Sequence, residues 1–590
     1  MTVHKNAWNV LLALCLSAFA VVVVRRAWLT DDAYITFRTV DNFIHGLGLT
    51  WNVGERVQVY THPLWMLMVS VIYFLTREIY YSSVFLSIGV SLAAVLLLAL
   101  RAASSIRTAI LGVAILACSK AFVDYSTSGL ENPLNHLILA SFFLVYLRSD
   151  TSPGTLFKLS LLAGLGLLSR MDLALIFAPA LAQTFLQLRG QGRVRPVALG
   201  FLPFLAWEAF AVFYYGFPFP NTAYAKLNTG IGGLELAEQG LFYLWYSSRI
   251  DPVMPLAILG GIAISLVADR SRRLPIVLGL LLYLLYVVKI GGDFMSGRFL
   301  TAPLFCAVIL LVQQVSTGLR AWLPAFGAVV AIGLFTPQSP IRSGSDYGAL
   351  QGGMRQRGVE DQRGFLYRHA GLLRHGSIGR PTHHWAAEGE QARANGTRLA
   401  LHGPIGYFGY YAGPETHILD VFALADPLLA RLPAGNPLGW RIGHFERRIP
   451  VGYAETLASP ESSLRDGSLA AYYGKLAVVT RGDLFDDSRW AEIWRLNTGA
   501  YDDLLGFEYH RHQIRGFSLA ERGRALAAQR ALESSIAADP TRAEGWCVLA
   551  RLHQQIGNPD EARTALLRAV DLAPSQTQYA SQLLELGHVP

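Results

Sequence analysis

Apolar runs recur through the first 336 residues at intervals too short to leave room for a soluble domain between them. They lie at about 8–24, 63–76, 79–100, 106–122, 133–147, 156–169, 173–188, 197–215, 253–268, 274–290, 299–316 and 319–336. Crossing a hydrocarbon core takes about 20 residues of helix, and only helices or closed barrels satisfy their backbone groups in lipid. The pattern therefore predicts a polytopic α-helical membrane protein with about 11–12 transmembrane segments. A hydrophobic fraction of 52 % over 590 residues agrees with it. Several runs are shorter than a perpendicular span, so one of the three between 63 and 122 reads as re-entrant or interfacial.

Charge sets the sides. Arg101 with Arg107, Arg189 with Arg193 and Arg195, and Arg270 with Arg272 and Arg273 form short basic loops, the mark of a cytoplasmic face. Counting outward places Thr30–Pro63, 127–133, 169–172, 217–230 and 291–298 on the opposite face. An odd number of crossings, about eleven, then exports everything after Phe335. Lys5 precedes the first run and no small-residue cleavage site follows it, so the start reads as an uncleaved signal anchor. The net charge of +8 belongs with anionic headgroups and cytoplasmic loops, since no nucleic-acid motif accompanies it. Cys15, Cys118, Cys306 and Cys547 sit in apolar runs or on a helical repeat and write neither a disulfide framework nor a metal cluster.

Three segments follow from composition. Residues 1–336 form the membrane domain, with an interfacial first loop at 27–62. Residues 337–516 turn water-soluble, with strand-like LALHG, HILDVFAL and GKLAVVT, and predict an extracytoplasmic α/β domain opened by a mobile linker at 338–364. Residues 517–590 are helical. There Trp546, Leu549, Ala550, His553, Gly557, Ala562, Leu566, Ala569 and Pro574 keep tetratricopeptide register, and Ala528, Leu532 and Pro540 match half of a preceding repeat. The tail is read as a helical cap or as a docking surface for a protein partner.

Topology gathers the unusual polar residues on one face: Asp31, Asp32, His62, Glu131, Arg170, Asp172, Asn221, Lys226, Asp293 and Arg298. Leaving such groups unpaired in lipid costs at least ~2.5 kcal/mol each, so ionisable residues beside apolar runs are functional by default. Asp31 and Asp32 stand directly after the first span, at the depth where a lipid-borne and a water-borne reactant can meet. From Tyr34 to Ile44 apolar residues recur at helical spacing, predicting an amphipathic helix lying in the interface. Arg170, Lys226 and Arg298 suit a phosphodiester, and a carboxylate can take a proton from an attacking hydroxyl. Tyr34, His62, Glu131, Asp172, Asn221 and Asp293 complete the set as substrate-binding candidates. No glycine-rich phosphate loop, zinc-ligand spacing or Ser/His/Asp signature appears. A divalent cation on one of the two acids is the only cofactor these residues leave open.

The stretches DDAYITFRTVDNFIHGLGLTWNVGERVQVYTHPLWM, STSGLENPL, LSRMDLALI, PFPNTAYAKLNTG, GGDFMSGRFLTAPLF and GPIGYFGYYAGPETHILDVFALADPLLARLP span about residues 30–450. Together they resemble the GT-C fold glycosyltransferases that use polyprenyl-phosphate sugars, and within them the mycobacterial terminal β-(1→2)-arabinofuranosyltransferase family. The resemblance implies a multi-pass enzyme of the bacterial inner (plasma) membrane. Its donor would be a polyprenyl-phosphoryl sugar such as decaprenyl-phosphoryl arabinose, and its acceptor a hydroxyl of a cell-envelope glycan or glycoprotein on the extracytoplasmic (periplasmic) face. Asp31 and Asp32 would be its catalytic carboxylates; one of them is expected to take the proton of the acceptor hydroxyl, and we assign that role to Asp31. The tetratricopeptide-like tail departs from that pattern, which bears on the acceptor. The alternatives are a lipid-linked oligosaccharide ligase, a protein O-glycosyltransferase, and a non-enzymatic lipid or glycan transporter. A transporter should show paired half-motifs, and none is present.

The sidedness is tested by His45→Cys and Ala400→Cys in intact spheroplasts. Both positions should react with a membrane-impermeant maleimide, and protection of both would refute the topology.

Overall fold

In the computed structural model the described residues are 2–188, 192–267, 270–313, 318–344, 346–347, 355–374, 379–435, 440–459, 462–505, 519–555, 558–574, 576, 579 and 581–583. Arg189 of one basic loop, residues 348–354 of the expected linker, the boundary expected at 516–517 and Gly557 lie outside them.

Every apolar run forms a helix, yet few are full spans. Asn6–Arg26, Tyr80–Ala102 and Ser271–Lys289 are long and apolar enough to cross a membrane. Two bent pairs bring the number to 5: Val194–Gly200 with Leu202–Tyr215, bent by 55°, and Gly233–Ile250 with Val253–Val267, bent by 107°. Others, such as the 14-residue helix Pro63–Thr76, reach about 21 Å at 1.5 Å per residue. Length alone therefore supports fewer complete crossings than the 11–12 expected. Helix Gly233–Ile250 was not expected, because Glu235, Glu238 and Gln239 interrupt its hydropathy. Its buried face, with Glu235, Gln239, Tyr243, Tyr246 and Ser247, has helical spacing.

The basic loops meet at one end of the bundle. Arg272 donates to the carbonyls of Tyr146, Leu147 and Ser149, and Arg273 to that of Gln313. These are C-terminal ends of helices, whose unpaired carbonyls favour cations.

The polar block after residue 337 is not a separate layer. Its Val359, Leu366, Tyr407, Trp440 and Phe445 belong to one hydrophobic core with Phe19, Trp28, Trp65, Phe122 and Phe305 of the bundle. Of the predicted strands, Leu399–His402 and His417–Asp420 form and pair in parallel around helix Ile405–Ala412. GKLAVVT instead lies in helix Gly467–Arg481. The Asp466 carboxylate accepts from the Ser468 and Leu469 amides and caps that helix, and Tyr472, Tyr473, Leu476, Val479 and Thr480 form its buried stripe. Among the described residues the block is thus mainly helical, with one β-α-β unit and a short hairpin, and so carries less sheet than the α/β domain expected.

The start of the expected linker is anchored, not mobile. The buried Arg26 guanidinium donates to the carbonyls of Ser339, Pro340 and Ser343. Arg26, Lys120 and Arg363 each stand over the Tyr347 ring, at 4.3, 4.5 and 4.4 Å. Lys120 pairs with Asp124 and with Asp361.

Helix Asp31–Ile44 also departs from expectation. Instead of lying on the interface it is buried on most sides, because helix Ile405–Ala412 covers the face that would have met water. The Asp31 carboxylate accepts from the Gly406 and Tyr407 amides at the start of that helix. Arg38, 2 % exposed, donates to the carbonyls of Gly409 and Thr416 at its far end and to that of Trp51. An anion at the amino end and a cation at the carboxyl end both complement the helix dipole. Gly406 is required there, since a Cβ would meet the Asp31 carbonyl oxygen at 1.9 Å.

The tail comprises helices Leu519–Ala538, Ala543–Gln555 and Pro559–Leu572. The last two pack through Cys547, Ala550, Leu566 and Ala569. Arg448 of the polar block donates to Asp560 and Glu561, at 2.5 and 2.7 Å.

Replacing Arg38 by Met leaves the buried carbonyls of Gly409 and Thr416 without their side-chain donor, while Trp51 keeps the one from Asn42, and should cost about 3 kcal/mol. Thermal unfolding of the full chain in detergent should report the loss. An unchanged midpoint would show that the guanidinium does not hold the block.

Candidate functional site

Opposite the basic loops, the helix ends enclose a chamber of about 240 Å³ between bundle and polar block. Its floor carries Asp32, Thr36, His62, Arg170, Asp172, Lys226, Asp293 and Arg298, and Leu424, Ile442, Gly443 and Phe445 of the block form its roof.

Successive residues of a helix point about 100° apart, so the two acids of the pair face different ways. Asp32 faces the chamber, where among the described residues its carboxylate makes no hydrogen bond or ion pair. Burial pushes its pKa up, and Lys226 and Arg298 partly oppose the shift. Asp31 points away from the chamber, both oxygens engaged by the Gly406 and Tyr407 amides. The role of base expected for Asp31 therefore does not fit its position. The divergence also separates the two carboxylates as ligands for one cation. Among the described residues no group of three or more His, Cys, Asp or Glu gathers to hold a metal.

Behind the floor lies Glu131, fully buried at the start of helix Asn132–Arg148. It accepts from Arg170 at 3.0 Å and Arg298 at 3.2 Å, and lies 3.1 Å from His62 Nδ1. Burial pushes this carboxyl up, but Arg298, His62 and Arg170 outweigh it and hold the pKa well below the usual range. Asp172 grips the outer edge of Arg170, and Asp293 lies 3.6 Å from Arg298. His62 Nε2 meets Thr36 Oγ1 at 2.9 Å, and Arg170 stacks over the Phe299 ring.

Among the cations of the chamber two donors are left over. Lys226, on helix Asn221–Leu227, makes no ion pair among the described residues although it lines the chamber. The buried Nε of Arg298 has no acceptor. The turn presenting Asp293 and Arg298 depends on Gly292 at φ +76, where a Cβ would strike the Tyr243 ring at 2.4 Å.

Two expected ligands stand elsewhere. Tyr34 is packed among Phe37, Tyr407, Tyr410 and Tyr411. The Asn221 side chain donates to the carbonyls of Ala423, Leu424 and Asp426 and accepts from Arg431, bracing the roof loop instead of facing the chamber. Thr36 was not anticipated, although its place four residues after Asp32 puts it on the same helical face. The roof residues had no signal, since nothing local in 424–445 refers to the first loop.

These features define a helical membrane protein with a charged chamber at one end of its bundle, where Arg170 and Arg298 are paired with carboxylates and Lys226 is not. The resemblance drawn from the motifs holds on comparison. The chain is 30 % identical over 351 residues to a terminal beta-(1->2)-arabinofuranosyltransferase of Mycobacterium tuberculosis, covering 50 % of this chain and 54 % of that protein. It is 27 % identical over 353 residues to the Corynebacterium glutamicum protein of the same name, covering 50 % of this chain and 49 % of the relative. The chain thus spans about half the length of these relatives. A crystal structure of ArnT from Cupriavidus metallidurans, bound to undecaprenyl phosphate, superposes with a TM-score of 0.44 at 14 % identity, over 70 % of this chain and 86 % of that one. Residues 519–585 match the tetratricopeptide repeat family model.

Burial raises the Asp31 pKa from 3.8 to about 7, against the two backbone amides that favour its anion. Between those values the native state keeps a proton that the unfolded chain releases, so this group's contribution to stability falls as pH rises from about 4 to about 7. Asp31→Asn cannot titrate. The stability of the wild type relative to this variant should therefore be greatest near pH 4 and decline towards pH 7, as measured by unfolding midpoints across that range. A pH-independent difference would refute the assignment.

Proposed function

We propose that this protein is a membrane glycosyltransferase that moves a pentofuranosyl residue, arabinofuranose by its likeness to the named relatives, from a polyprenyl phosphate to a hydroxyl of a cell-envelope glycan or glycoprotein. The carrying observation is the chamber itself: one unengaged carboxylate, Asp32, beside an unpaired lysine, Lys226, and an unpartnered arginine Nε, Arg298. Lys226 and Arg298 bind the donor phosphate, and the apolar roof covers one side of the site.

Asp32 takes the proton of the acceptor hydroxyl as its oxygen bonds to the anomeric carbon. The bond from that carbon to the phosphate oxygen breaks, and the polyprenyl phosphate leaves as an anion stabilised by the same cations. Asp31 holds the polar block over the reaction. The reaction face and the block lie outside the cytoplasm of a bacterial plasma membrane, and the tail engages the acceptor or a protein partner.

The test is incubation of purified full-length protein with polyprenyl-phosphoryl arabinofuranose and a panel of arabinan, glycan and pilin-type acceptors, with polyprenyl diphosphate sugars in parallel. Transfer from the monophosphate only is expected, and transfer only from the diphosphate would favour a ligase. Asp32→Asn should lower turnover by about 10²–10⁴, the scale of a lost general base. Asp31→Asn should keep most of the turnover per folded molecule. Full activity of Asp32→Asn would overturn the mechanism.

A further inference from the structure

Glu131 is 0 % exposed and contributes nothing to the chamber surface, yet three groups that do line the chamber end on it. One oxygen receives Arg170 at 3.0 Å and Arg298 at 3.2 Å, and the other lies 3.1 Å from His62. The two guanidiniums arrive on separate loops, one after helix Pro153–Ser169 and one before helix Thr301–Val312. Without an anion between them they would repel. Each is gripped on a second edge by its own loop, Arg170 by Asp172 and Arg298 by Asp293. Glu131 is therefore the only carboxylate among the described residues shared by both. The same residue orients the His62 ring, whose other nitrogen meets Thr36 one turn after Asp32.

Held between Glu131, Asp172 and Asp293, the arginines act as N–H donors of fixed direction, and the Nε of Arg298 remains without an acceptor. A carboxylate required only for folding would not need to tie together three side chains that all converge on one cavity.

We propose that Glu131 is the positioning residue of the chamber: it sets the spacing and direction of Arg170 and Arg298 for a phosphate. This rests on the reading of the chamber as a prenyl-phosphate site and deepens it.

The test uses the full chain in detergent, with farnesyl phosphate binding measured by calorimetry and transfer kinetics measured alongside. Glu131→Gln keeps the shape and removes the charge. It should weaken farnesyl phosphate about tenfold or more, the scale of a broken buried charge contact. The KM for the lipid donor should rise by a similar factor, with kcat at saturating donor changed far less, the signature of lost binding shared by ground and transition states. Adding Arg170→Lys to Glu131→Gln should cost less than Arg170→Lys costs alone, since the arginine is already released. Glu131→Asp, which keeps the charge on a shorter stem, should bind with intermediate affinity, and it carries the test if Glu131→Gln does not fold. A variant with a lowered unfolding midpoint but wild-type farnesyl phosphate affinity and donor KM would overturn the proposal and leave Glu131 a brace. Failure of the wild type to bind farnesyl phosphate would overturn the phosphate reading itself.

Discussion

The architecture depends on how one short helix is held. Ile405–Ala412 receives an anion at its amino end from Asp31 and a cation at its carboxyl end from Arg38, both from the helix that follows the first membrane span. Each interaction is modest at a surface, but both are buried, where an unmet amide or carbonyl costs about 1–3 kcal/mol. Closing this contact brings the polar block onto the bundle and, with it, Leu424, Ile442 and Phe445 over the chamber. Without the clamp the floor would be an open, solvated cluster of charge, and its electrostatic interactions would be screened.

Burial then determines how the charges can be used. At the chamber floor the largely buried Arg170 and Arg298 are each shared between two carboxylates, so neither is a bare buried cation, a state that would be costly. Lys226, which is exposed, and Asp32, which is half-buried, have no such partner among the described residues, and both line the same space. An ion pair between them would have quenched both. On the proposed reading of the chamber, their separation leaves a cation for a phosphate and a base for a hydroxyl.

Much of this was legible in the residues. Ionisable groups beside apolar runs are too expensive to be accidental, which singled out Asp32, His62, Arg170, Asp172, Lys226, Asp293 and Arg298, all of them chamber residues. The same rule selected Asp31, Asn221 and Glu131, which the fold uses to hold the block, the roof loop and the arginines. A cost in lipid says that a polar group must be satisfied, without saying by what. GKLAVVT was read as a strand because β-branched residues at its end outweigh a single capping aspartate in a local reading. The cap and the buried stripe it aligns decide for helix. Arg26 and its carbonyl partners at 339–343 were invisible, since hydrogen bonds to backbone leave no trace in side-chain identity.

Sequence by itself determined that the chain is helical and membrane-bound, that its basic loops share one end, that its clustered ionisable residues share the other, and that its tail carries a tetratricopeptide repeat. These follow from solvation and periodicity, which act residue by residue. Only the tertiary structure decided which member of the Asp31–Asp32 pair meets the chamber. A helix turns about 100° per residue, so adjacent and chemically identical side chains must part, and what each one meets depends on a segment more than 370 positions away.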